Sequence, residues 1–144
     1  MEWAALIAWV LTAGGGAIML AIWVARGGMR QRESGRIRPP LILAHFGLAA
    51  TGLVLWLIYL ANDSDALAWI AFALLLVVAA IGFTMFGIWM RQRQARARVT
   101  QAATATSGPV EPAEQHFPVA IVGLHGLAAA TTLVLVLLAA LEVG

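Results

Sequence analysis

The sequence predicts an all-α membrane protein: a four-helix transmembrane bundle built from two tandem helical hairpins. Three observations predict it. Of 144 residues, 62% are hydrophobic and only 11% charged, where a soluble domain runs at roughly half apolar and a quarter charged. The apolar residues gather into four runs, each near the roughly 20 residues that a spanning helix needs. The second half of the chain then repeats the pattern of the first.

The predicted spans cover about 3–25, 41–61, 66–90 and 117–141, and none holds Asp, Glu, Lys or Arg in its interior. One membrane domain uses the whole chain. The first connection, 26–38, carries Arg26, Arg30, Arg32, Arg36 and Arg38 against Glu33. The second is short and bears Asp63 and Asp65. The third opens with Arg91, Arg93, Arg96 and Arg98, then turns rich in Ala, Thr, Pro and Gly; about 99–115 is expected to be a flexible linker. On the opposite side lie Glu2, Asp63, Asp65 and Glu142, with no positive residue. All nine basic residues are arginines on one side, which the positive-inside rule assigns to the cytoplasm. Both termini are therefore expected outside the cytoplasm, and the expected location is a bacterial plasma membrane. The N-terminus lacks a basic n-region, so a cleaved signal peptide is not expected. Trp3, Trp23, Tyr59, Trp69 and Trp89 fall near span ends, where interfacial aromatics belong.

Composition also excludes classes of function. With no cysteine, disulfides, thiolate metal sites and cysteine catalysis are absent. A pI of 10.5 would suggest nucleic acid in a soluble chain. Here the arginines sit in two short loops and read as topology signals, so no nucleic-acid partner is expected. Contact with anionic lipid is a by-product. No nucleophile–base–acid set, phosphate loop or paired intramembrane carboxylates occurs, so nothing resembles a hydrolase.

The internal repeat has two registers. A shift of 66 takes Trp3 to Trp69, Gly16 to Gly82, Met19 to Met85 and Ala21-Ile22-Trp23 to Gly87-Ile88-Trp89. A shift of 80 takes His45 to His125, Ala49-Ala50-Thr51 to Ala129-Ala130-Thr131 and Leu53-Val54-Leu55 to Leu133-Val134-Leu135. The longer third connection absorbs the difference. Two spans per repeat preserve direction, which makes this a parallel repeat about an axis along the membrane normal.

His45 and His125 are the readily ionisable side chains inside the spans, and intramembrane ionisable residues mark function by default. His45 follows Pro40 by five residues and His125 follows Pro118 by seven, placing both roughly 7–10 Å inside at 1.5 Å per residue. Two imidazoles facing across a bundle axis at one level suit axial ligation of a haem iron, and bundle cores commonly house such groups. On each histidine's own face, Ala49 and Gly52 follow His45, while Ala129 and Thr132 follow His125. Their small side chains are expected to leave a slot for a flat ligand. Thr51, Thr131 or Thr84 are candidates to accept an imidazole N–H from a neighbouring helix. Arg38, Arg91 or His116 are candidates to pair with haem propionates.

The four-span bundle with its His45/His125 pair on alternate helices resembles four-helix transmembrane b-type cytochromes of the cytochrome b561-like group. That pattern has two histidine pairs at opposite faces, and only one is present here. The resemblance therefore implies one bis-histidine haem b and redox exchange, with a quinone or a redox partner. It implies electron transfer in preference to catalysis on a substrate.

Other readings stand beside this one. A transmembrane His often bonds one helix to another, and Ala and Gly suit close packing with no cofactor. The chain would then be a non-catalytic membrane subunit, as a homo-oligomer or within a larger complex. A small proton-coupled transporter is a third class, against which the apolar midplane counts. Gly14-Gly15-Gly16 reads as a packing notch or kink, the tryptophans as anchors, and His116 as interfacial.

Overall fold

The computed structural model describes residues 1–30, 37–102 and 111–142. Among them run four helices: α1 Glu2–Ala25, α2 Pro39–Asn62, α3 Asp65–Ala102 and α4 Val119–Glu142, with a 3-10 turn at Ala113–His116. All four are long and apolar enough to cross a membrane. The protein is an all-α integral membrane bundle.

Local chemistry sets the helix ends. At the close of α1 the chain turns through Gly27 at φ 78°, a left-handed conformation that favours glycine. Gly28 then lies so close to the Trp23 indole that a Cβ there would run into the ring. Helix α2 starts on Pro39-Pro40 after an extended Arg38, as proline at the first helical positions favours. It ends at Asp63, left-handed at φ 49°, whose N–H returns to the Tyr59 carbonyl.

Helix α3 outruns the predicted span. It continues through the Arg, Gln and Ala run 91–98 to Ala102, because these are strong helix formers once the chain has left the apolar layer. Of the expected flexible linker at about 99–115, the first four residues are thus helical, and 113–115 belong to the 3-10 turn. The intervening 103–110 lie outside the described residues.

The duplication is visible in space. Shifting Pro39–Asn62 by 80 gives the bounds of α4, Val119–Glu142. The closest-packed pairs are α1 with α4 and α2 with α3, while α1–α2 and α3–α4 close the ring. The pairs α1–α3 and α2–α4 are diagonals, with no Cα atoms within 8 Å. Exchange of the halves preserves this arrangement, as a two-fold along the bundle axis requires. It also maps buried residue onto buried residue: Ala5 onto Ala71, Trp23 onto Trp89, Trp56 onto Val136 and Tyr59 onto Ala139.

Packing differs between the two ends. Toward the acidic end, Trp9, Trp56, Tyr59, Leu75 and Val136 form a closed core with five buried alanines. The Trp9 and Trp56 rings stand 6.3 Å apart, Trp56 and Tyr59 4.7 Å apart, and the Tyr59 hydroxyl donates to Glu2 Oε1 at 2.6 Å. Nearer the arginine end, Met19, Leu41, Ile42, Met85, Ile121 and Val122 are only half-buried. Outside, Phe83, Leu11, Leu124 and Leu127 are largely exposed. Such an apolar exterior suits contact with lipid.

Candidate functional site: paired histidines across the bundle diagonal

His45 on α2 and His125 on α4 point at each other across the diagonal, with ring centroids 6.4 Å apart and planes inclined at 64°. The helices that carry them bring no Cα atoms within 8 Å of each other, so the imidazoles reach across the interior between them.

Each ring is held by the helix beside it. His125 Nδ1 donates to the Thr12 carbonyl of α1 at 2.9 Å, and His45 Nδ1 donates to the Val78 carbonyl of α3 at 3.1 Å. A carbonyl only accepts, so Nδ1 must carry the proton and Nε2 keeps its lone pair. Thr12 and Val78 are related by the same 66-residue shift as the tryptophans. One turn further along each helix stands a glycine. A Cβ on Gly16 would lie 3.2 Å from His125 Cε1, and one on Gly82 would lie 3.2 Å from His45 Cε1. Gly15 also borders His125, since a Cβ added there would lie 3.5 Å from the His125 Cβ. Helix α1 thus offers a carbonyl at position 12 and a bare backbone at 16, and α3 does the same at 78 and 82. Carbonyl and notch together fix each imidazole's tautomer and tilt.

This arrangement corrects the expected orienting groups. Thr51, Thr131 and Thr84 are exposed and donate to carbonyls of their own helices, at Gly47, Leu127 and Ala80. Main-chain carbonyls take the role expected of them. Of the small residues expected to form a slot, Ala49 and Ala129 are half-buried. Gly52 is filled from α1, since its Cβ would meet the Trp9 ring at 3.0 Å. Thr132 is fully buried, with its hydroxyl 3.1 Å from that of Thr12. These two residues belong to the closed core rather than to an opening beside the rings. Arg91 is exposed at the end of the apolar part of α3. Arg38 lines a lateral groove with Pro40, Leu41, Ala44 and Ile88.

A second polar cluster, missed in the sequence, closes the arginine end. The 3-10 turn packs against both α1 and α3. Its Glu114 is 1% exposed and accepts from Gln92 Nε2 at 3.2 Å and from the Ile37 N–H at 3.4 Å. The Glu114 carbonyl accepts from Trp89 Nε1 at 3.1 Å. Gln115 donates to Gln92 Oε1. Just outside, Glu111 pairs with Arg96, and that hydrogen bond holds the Glu111 carboxyl below the usual carboxylate range. His116 Nε2 stands 3.9 Å from the same carboxylate.

Two imidazoles are the metal-binding donors of the core. No group of three His, Cys, Asp or Glu side chains that could hold a metal ion occurs among the described residues. Compared with known protein families, curated proteins and solved structures, the chain matches none.

Proposed function

We propose that the protein is a small membrane cytochrome carrying one haem b, with His45 and His125 as axial ligands. The observation that carries this reading is the pair of imidazoles across the diagonal, each with Nδ1 committed to a carbonyl. An imidazole whose other nitrogen donates to a fixed acceptor is oriented for metal binding and made more basic. The spacing is compatible with a shared metal. Were both Nε2 atoms to face one metal, metal–nitrogen bonds of about 2 Å, with each ring centre about 1 Å behind its nitrogen, would put the centroids about 6 Å apart, against 6.4 Å for this pair. Two protein donors are too few for a bare ion of four or more ligands. They are the right number for an iron whose other four positions are filled by a porphyrin. The half-buried side chains on the arginine side of the rings and the backbone separation of the diagonal helices also favour a ligand there.

The haem would supply one-electron redox chemistry, exchanged with a quinone or a redox protein. His45 and His125 would hold the haem from both sides, which would favour electron transfer over oxygen activation. Gly16 and Gly82 let α1 and α3 approach the rings, and the closed aromatic core excludes water from one side. We further propose that the arginine end faces the cytoplasm of a bacterial cell, on the nine-to-zero arginine split.

Protein expressed with ample haem should be red, with a six-coordinate low-spin spectrum. His45→Ala and His125→Ala should each convert it to a five-coordinate form, and the double variant should be colourless yet still inserted. His116→Ala should leave it unchanged. A colourless wild type sinks the cytochrome reading. Reporter fusions after Asp63 should appear outside the cell and fusions within 103–110 inside; the reverse pattern overturns the orientation.

A second reading is favoured by the same hydrogen bonds. They tie α4 to α1 and α2 to α3, as structural histidines of a non-catalytic subunit would. Under that reading His45→Gln, which keeps a donor, retains full stability, and no pigment is ever present.

A further inference from the structure

We propose that the groove between α2 and α3 at the arginine end is a binding site for one anionic phospholipid, with its phosphate on Arg38. The groove encloses about 480 Å³ and is lined by Arg38, Pro40, Leu41, Ala44 and Ile88. Its floor is aliphatic. Pro40 and Ala44 lie on the exposed side of α2, so the groove opens outward to lipid. Its one charged residue stands where the apolar span begins, at headgroup depth.

Charge complementarity selects the occupant. Arg38 is exposed and makes no ion pair among the described residues. By contrast, Arg96 is paired with Glu111 and Arg93 lies over the Trp89 ring at 5.1 Å. An uncompensated guanidinium above an aliphatic trough fits an anionic head followed by an acyl chain. The duplication provides an internal comparison. At the equivalent places in the other half stand Pro118 for Arg38, Leu124 for Ala44 and Ile22 for Ile88. The cation is lost there, and a largely exposed leucine stands at the register of Ala44. The two halves have kept the histidine registers and diverged at this groove. This inference does not rest on the haem reading.

The test uses full-length protein reconstituted in equal dioleoylphosphatidylglycerol and dioleoylphosphatidylcholine, extracted mildly and weighed intact by native mass spectrometry. Wild type should retain one phosphatidylglycerol in preference to phosphatidylcholine. Arg38→Gln should lower that retention about five-fold, the size expected for one surface charge. Ala44→Leu should fill the trough and abolish retention of both lipids; leucine already stands at the equivalent register, so the fold should accept it. Arg98→Gln, on the same side but outside the groove, should change nothing. Equal retention of the two lipids, or wild-type retention by Arg38→Gln or Ala44→Leu, overturns the proposal. A chain dimer broken by Ala44→Leu would give the groove to a second copy and also overturn it.

Discussion

At the residue scale, the histidines were legible and their holders were not. An ionisable side chain in an apolar span stands out, and two at one register stand out further. The acceptors are backbone carbonyls, and a carbonyl has no letter in the sequence. What the sequence does record is the absence of a Cβ: Gly16 and Gly82 sit four residues beyond Thr12 and Val78, in matching registers. The glycine pair was visible, but its meaning required knowing which helix lies beside which imidazole. Gly82→Leu should therefore act on His45 specifically. A Cβ already stands 3.2 Å from Cε1, and the added carbons have to occupy the ring's own position. Displacing a well-packed group in this way costs about 1–3 kcal/mol, so a lower melting temperature is expected. Gly87→Leu on the same helix is the control, because no atom lies within 4 Å of its Cβ position. Equal melting of the two variants would show that the notch holds nothing.

At the element scale, apolar length located every span, and three of the four helices end within a few residues of where it placed them. Helix α3 and the 3-10 turn departed for one reason. Length of apolar run reports the membrane and is silent on helix that continues in water, or on a polar turn folded against a helix end. No apolar run marks Glu114, whose partners come from α3 and from the residue before Arg38, far away in sequence. A buried hydrogen bond contributes about 0.5–1.5 kcal/mol, and Glu114→Ala removes those from Gln92 and from the Ile37 N–H. The expected outcome is local. Amide exchange across 113–116 should accelerate strongly, while the cores of α1 to α4 exchange as before. Unchanged protection at 113–116 would mean that the Trp89 and Gln115 contacts suffice without the carboxylate.

At the scale of the whole molecule, the repeat was legible, but the partnership of its helices was not. Two tandem hairpins invite the picture of two self-contained halves, each hairpin packed on itself. The structure pairs them differently: α1 packs closest on α4 and α2 on α3, so each tight pair takes one helix from each half. The imidazole bonds follow the same rule, from α4 to Thr12 and from α2 to Val78. Apolar patterning cannot reveal this, since the spanning part of every helix is apolar all round. A cut in the short loop at Ser64 tests the consequence. The fragment 1–63 holds only the loosely packed α1–α2 pair and lacks the acceptor for His45. It should insert as two spans yet be degraded or aggregate when expressed alone. Co-expressed with 65–144, it regains α4 on α1 and α3 on α2, and the two fragments should copurify at one-to-one stoichiometry through a tag on either. Thr12 and Val78 would again face their imidazoles, so copurification should fall when Gly16→Leu and Gly82→Leu are introduced together. A fragment 1–63 that is stable and helical alone, and that ignores its complement, would mean that the halves are independent hairpins and that the cross-half pairing is wrong.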